Sequence, residues 1–200
     1  MEPLVVHHGT AMPLRRSGVD TDQIVPAEFC KRVTRTGYAD ALFAGWRADP
    51  ASVLNDPRYA GASILLAGPD FGVGSSREHA AWALRDGGYR VIVAPGFGDI
   101  FARNALQNGL LPVVLPAPVV DHLMAGVEAE PGLTLVVDVL GGQVRAPGVR
   151  ARIDLDPRRR WMLLNGLDDV DLTLRRVDRI AAYERDRAPW LPSTGRRAGG

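Results

Sequence analysis

Between residues 72 and 79 the chain reads Gly72-Val73-Gly74-Ser75-Ser76-Arg77-Glu78-His79. Two glycines two apart let the backbone bend sharply and bring its N–H groups close to a ligand. The two serines stand where a helix should begin and are expected to cap it. A helix N-terminus with free N–H groups attracts carboxylate or phosphate. Arg77 adds a planar donor that can grip the same anion at two points. Anion binding is therefore the chemistry open to this stretch, and an ordinary Gly-Ser turn is the bland alternative. No Lys-Ser/Thr pair follows the glycines, so this is not a Walker A loop. The third glycine of the dinucleotide fingerprint is also missing.

Upstream, Asp20-Thr21-Asp22-Gln23-Ile24-Val25-Pro26 leads into a basic segment, Lys31 to Gly37, that carries Arg32, Arg35 and Thr36. Proline, glycine and the Asp/Thr cluster predict irregular loops rather than a long helix across this first region, Leu4 to about Trp46. The second region, Ala62 to Pro116, is the most regular. Ser63 to Ala67, Arg90 to Ala94 and Leu111 to Leu115 read as short buried strands. Arg77 to Asp86 and Gly98 to Asn108 read as helices stopped by Gly87-Gly88 and Gly109. Alternating strands and helices over so short a stretch imply parallel pairing with crossover helices. In the third region, Leu133 to Val139, a Gly141-Gly142 turn and Gln143 to Arg145 suggest a hairpin. Two helices are expected after it, Pro157 to Asn165 and Asp171 to about Arg187. Residues 1–188 are expected to form one domain, and 189–200 a disordered tail.

The bulk numbers narrow the function classes. The chain has 200 residues, 46% hydrophobic and 24% charged, enough for one sizeable core. A formal net charge of +1 gives no global reason to expect nucleic acid or an anionic membrane. Lys31 is the only lysine, which leaves almost no room for catalysis by a buried lysine. Cys30 is the only cysteine, so a cysteine-held metal or cluster needs ligands from elsewhere. No signal-peptide pattern opens the chain, and no apolar run is long enough to span a bilayer. A cytoplasmic location is the expectation.

The string Gly72 to Leu84 resembles the swivel-domain signature of the aconitase superfamily. Asp20 to Pro26 resembles that superfamily's other small-domain motif, at the expected distance upstream. Phe97 to Asn104 and Asn108 to Pro112 look like its third and fourth blocks. Leu163-Leu164-Asn165-Gly166-Leu167-Asp168-Asp169-Val170 is similar to the 3-isopropylmalate dehydratase small-subunit family in particular. The resemblance covers roughly residues 4 to 187, with the blocks in order. It implies an α/β fold, the swivelling β/β/α domain of the aconitase type, with mainly parallel strands and flanking helices.

The same resemblance implies a hydro-lyase that interconverts 2-isopropylmalate and 3-isopropylmalate in leucine biosynthesis, by dehydration and rehydration. Its [4Fe–4S] cluster belongs to a separate large subunit, the partner, and this chain is expected to bind no metal or cofactor. The substrate is a small dicarboxylate. Ser75 matches the base at the carbon that loses its proton, Arg77 a carboxylate-binding arginine, and Asp22 an active-site aspartate. Arg32 and Arg35 are both candidates for the second carboxylate. Arg35 is favoured, because Arg35-Thr36 looks like the Arg-Thr pair of the isopropylmalate specificity loop. Ser76 is expected to offer its N–H to substrate, with Gly74 beside it in the binding loop.

Blander roles are expected for other residues. Glu78 suits the helix dipole and an arginine partner, and His79 reads as a hydrogen-bonded core residue. His7, His8 and His122 read as surface residues, Asp99 and Arg103 as a helical ion pair, and Cys30 as a small apolar filler. Two departures from the family string stand out: Asp70 where asparagine is common, and Val73 where cysteine is usual. They leave the reaction class intact and bear on the substrate. The competing readings are a small subunit for homoaconitate, methylmalate/citraconate or a specialised-metabolism substrate, and a non-catalytic anion-binding swivel protein. Loss of Ser75 or Arg77 would have favoured the last.

Overall fold

A computed structural model describes residues 1–75, 77–188 and 190–192. The chain divides into two compact units, Met1–Leu167 and Asp168–Gly200. The first is built on one seven-stranded sheet. Its strands are β1 (Val6–Leu14), β2 (Ile64–Ala67), β3 (Val91–Ala94), β4 (Leu111–Val114), β5 (Thr134–Asp138), β6 (Gln143–Ala146) and β7 (Val149–Arg152). They lie in the order β4-β3-β2-β1-β5-β6-β7. The α-helices of this unit are α1 (Thr21–Ile24), α2 (Ala44–Arg47), α3 (Glu78–Asp86), α4 (Asp99–Gln107), α5 (Ala117–Ala129) and α6 (Pro157–Asn165).

β2, β3 and β4 pair in parallel, with α3 and α4 as the crossovers, as the alternation of apolar runs and helical stretches implies. β2 and β3 are buried along their whole length, which suits strands covered on both faces. The other half of the sheet is antiparallel: β5 pairs with β1 and with β6, and β6 with β7. β1 joins the halves. Its first part, Val6 to Thr10, runs antiparallel to β5, and its second, Ala11 to Leu14, runs parallel to β2.

That double role explains why β1 reads as loop in the sequence. Its first half is largely accessible and its second half wholly buried, so no single periodicity runs through it. Gly9 and Pro13 add apparent breaks, yet both have a place. A Cβ on Gly9 would stand 2.1 Å from Ser63 Oγ, and Pro13 lies where β1 has a paired neighbour on one side alone. α5 is hidden in the sequence for a different reason. Pro116 and Pro118 look like breakers, but they stand at the N-cap and first turn, where proline is tolerated.

The second unit holds α7 (Asp169–Leu174) and α8 (Val177–Asp186) in place of the single helix expected from Asp171. Asp168 and Asp171 form a reciprocal capping box, so Asp171 is the third residue of the helix and not its start. Arg176 at φ −116° and ψ 24° leaves the helical well and divides the two. Apart from residues 190–192, the expected tail lies outside the described residues. No helix among the described residues is long and apolar enough to cross a membrane.

Candidate active site

The anion loop leaves the C-terminal end of β2 and is laced to two other segments by its backbone. Gly72 and Val73 donate their N–H groups to Val19 O at 2.7 and 3.2 Å, and Val73 O accepts from Thr21 N at 3.1 Å. On the other side, Phe71 N donates to Gly96 O and Gly98 N to Phe71 O, at 3.1 and 2.9 Å. These contacts require glycine at two points. At Gly72 (φ +74°) a Cβ would stand 2.2 Å from the Phe101 ring, and at Gly98 it would stand 2.4 Å from Gly72 O. Val73 contributes through its backbone, so this lacing needs no thiol there. Asp70 adopts φ 59°, a left-handed conformation that aspartate and asparagine tolerate better than most residues. The Asn-to-Asp departure therefore keeps the turn.

The Asp20 to Pro26 motif acts as a unit. Asp20 caps α1 by accepting from Gln23 N at 2.7 Å, while Gln23 Oε1 accepts from Asp20 N at 3.0 Å. Ile24 and Val25 anchor the short helix in the core. Thr21, almost fully buried, donates Oγ1–H to Ser75 O at 2.9 Å and so fixes the backbone of the candidate base. Asp22 faces the loop, and its Oδ1 accepts from Arg77 Nη1. The Arg77 side chain is 21% exposed and that of Asp22 54%. The bond to Asp22 holds the guanidinium pKa above its ordinary value, with a smaller electrostatic contribution from nearby Cys30. The reciprocal spacing of Asp20 and Gln23 is a capping-box signal that could have announced α1 from sequence.

Ser75 is exposed, and Ser76 lies outside the described residues. The expected serine cap is not what starts α3. Arg77 occupies the N-cap with extended backbone (φ −136°, ψ 110°) and makes no side-chain capping bond. Its side chain is turned instead to Asp22, which explains the exchange of roles. Gly74, at φ +89°, also brings the loop close to Asp20, where an added Cβ would lie 3.5 Å from Asp20 Cβ.

The basic segment places Arg32 and Arg35 very differently. Arg32 donates to both Asp40 oxygens, at 2.8 and 2.7 Å, and to Gly37 O. Its guanidinium also lies 5.0 Å from the centre of the Phe29 ring. Buried Tyr38 completes the fastening. Its hydroxyl lies within donor reach of Arg32 O and Thr34 O, and its N–H donates to Asp86 Oδ2 at 2.8 Å. Between these anchors Arg35 and Thr36 are exposed, and Arg35 has no ionic or hydrogen-bond partner among the described residues. Val33, in the same loop, is 99% exposed.

Four bland expectations need correcting or refining. Glu78 pairs with no arginine among the described residues. Its Oε1 accepts from Asn108 Nδ2 at 3.0 Å, while Asn108 Oδ1 accepts from Trp82 Nε1 at 3.0 Å, so one amide joins α3 to the end of α4. His79 packs edge-on against Tyr38 and Trp82, with centroids 5.5 and 4.8 Å away. Asp99 and Arg103 are both exposed and form no ion pair among the described residues. His7 is half-buried and shares a 2.8 Å hydrogen bond with Ser63 Oγ. Burial first, then Arg90 and His8, hold its pKa below the ordinary value.

Comparison with known proteins bears on what this loop cluster belongs to. The family model for the aconitase C-terminal domain matches residues 1–118. A second model, for the C-terminal domain of the 3-isopropylmalate dehydratase small subunit, matches residues 169–194. The 3-isopropylmalate dehydratase small subunit of Parafrankia sp. is 58% identical, over 97% of this chain and 100% of that protein. The chain belongs to the 3-isopropylmalate dehydratase small-subunit family. The Thermobifida fusca member is 56% identical over the same shares. A crystal structure of 3-isopropylmalate dehydratase from Methanocaldococcus jannaschii covers 89% of this chain and 99% of its own, with a TM-score of 0.67 at 23% identity. That likeness bears out the aconitase-type fold. Among the described residues of this family member, no group of three or more His, Cys, Asp or Glu side chains is placed to hold a metal ion.

Proposed function

We propose that this chain is the small subunit of a 3-isopropylmalate dehydratase and supplies the proton-handling and carboxylate-binding half of its active site. The observation that carries the reading is the joining of two motifs. Thr21 fixes Ser75 and Asp22 holds Arg77, so the anion loop is set in place by this chain alone.

The roles follow from the chemistry of each group. Isomerisation removes a proton from one carbon and the hydroxyl from its neighbour, then re-adds water the other way round. Ser75 Oγ takes that proton and returns it on rehydration. A serine hydroxyl is far too weak an acid to ionise unaided, so the loop N–H groups and the start of α3 stabilise its alkoxide. Arg77 receives one substrate carboxylate. Its guanidinium has five N–H donors, and the bond to Asp22 uses one of them. Arg35 takes the second carboxylate, because Arg32 is already committed to Asp40 and Gly37. Thr36 stands beside Arg35, and Ser76 and Gly74 offer backbone N–H groups to the substrate.

With a single cysteine, the chain cannot furnish a cysteine-held cluster. An iron–sulfur cluster on a partner large subunit supplies Lewis-acid activation of the departing hydroxyl. Val33, an exposed apolar residue two positions before Arg35 in the same loop, favours an aliphatic substrate side chain over a third carboxylate. We place this assembly in the cytoplasm.

The test is a reconstituted assay: purified chain mixed with cluster-loaded large subunit and supplied with a panel of 2- and 3-hydroxy diacids. Interconversion of the isopropylmalates ahead of homoaconitate and methylmalate supports the reading. Preference for a tricarboxylate overturns the substrate, and activity of the isolated chain overturns the division of labour.

A further inference from the structure

The β6–β7 hairpin and α6 concentrate positive charge. Residues 141–160 contain six arginines and two aspartates, in a chain whose formal net charge is only +1. Cross-strand register sets Arg145 opposite Arg150 and Gln143 opposite Arg152. Directly opposed like charges on an antiparallel pair are destabilising. Arg145 leans towards Asp138, 3.9 Å away, whereas Arg150 and Arg152 have no acidic partner among the described residues. The other nearby acids do not supply one. Asp156 caps α6 by accepting from Arg159 N at 2.9 Å, and exposed Asp154 lies outside the pocket lining.

These arginines surround a concavity. A pocket of about 420 Å³ is lined by Gly141, Gly142, Gln143, Arg150, Ala151, Arg152 and Arg160. Arg150 and Arg152 are the accessible residues of β7, two apart and so on one face of the edge strand. Arg160 reaches in from α6. Its guanidinium lies against the Gly141-Gly142 turn, where a Cβ on Gly142 would stand 3.0 Å from Nη2. Arg160 Nε is buried and has no hydrogen-bond partner among the described residues.

We propose that Arg150, Arg152 and Arg160 form a binding site for a small molecule with at least two oxyanion groups, a phosphate ester or a polycarboxylate. The volume suits a metabolite. Guanidinium forks on two sides match phosphate or carboxylate geometry. A bound polyanion would also relieve the repulsion between strands. The site lies on the antiparallel edge of the sheet, whereas the Ser75 loop follows β2.

Calorimetric titration of the full-length chain at low salt, with pyrophosphate and separately with citrate, tests this. Binding of either probe is expected, weakened by at least about tenfold in Arg150→Gln/Arg152→Gln and persisting in Arg77→Gln. The probe that binds more tightly separates a phosphate ester from a polycarboxylate. The substitutions lie on an exposed edge, so the melting temperature without probe should stay within about 2 °C of wild type. If the double variant does not fold, Arg152→Gln alone makes the comparison. Failure of both probes to bind at millimolar concentration overturns the proposal. So does equal affinity in the variant, or binding lost in Arg77→Gln but kept in the double variant, which would assign it to the catalytic loop.

Discussion

The Arg77 guanidinium donates to the Asp22 carboxylate across 55 residues of chain, and this bond closes the anion loop onto the short helix α1. Arg77 stays charged at every working pH, so Asp22 acts by aiming the guanidinium and not by setting its protonation. Asp22→Asn should therefore lower kcat/KM of the reconstituted enzyme by roughly 10- to 100-fold, the loss expected when a binding group is misdirected. Stability should change by less than about 1 kcal/mol, because the pair is partly solvent-exposed. Steady-state kinetics with a urea melt of the same variant checks both.

Arg32 and Arg35 should separate cleanly. Arg35→Gln should leave the melt unchanged and reduce kcat/KM by about 100-fold or more, through loss of a charged hydrogen bond to substrate. Arg32→Gln should act indirectly by loosening the segment it clamps to Asp40, with a loss nearer tenfold. A larger loss for Arg32→Gln would reverse the assignment.

Gly98→Ala tests the lacing of the loop. Its Cβ would stand 2.4 Å from Gly72 O, a contact with backbone that no side-chain rotation relieves. Chemical denaturation should show a loss of about 2–3 kcal/mol.

His7 gives the chain an acid-sensitive term. Its folded pKa lies below the ordinary value of about 6.5, chiefly because it is buried. The unfolded chain therefore takes up the proton first as pH falls. The stabilisation is fully present above about pH 6.5 and is lost as pH drops towards the folded pKa. His7→Gln should flatten this slope in melts recorded from pH 7.5 to 5, and an unchanged slope would contradict the account.

Much of this architecture is legible in sequence because local signals agree with tertiary ones. β2, β3 and β4 are short apolar runs bounded by glycine and proline, and α6 ends at Gly166 in a left-handed cap. β1 is illegible because it serves two sheet environments at once, and α5 because its prolines mark a start that resembles a break. At the site, residue types announce an anion loop and a basic segment. The pairings cannot be read. Nothing in the string says that Arg32 turns to Asp40 and Arg77 to Asp22, or that Asn108 and not an arginine takes Glu78. Those choices depend on how segments far apart in sequence meet.

The most direct measurement is turnover of the reconstituted complex carrying Ser75→Ala, with assembly checked by size-exclusion chromatography. If Ser75 handles the proton, isopropylmalate interconversion should fall by about a thousandfold or more while the complex still forms and substrate still binds. Retention of more than about a tenth of wild-type turnover in an intact complex would contradict it.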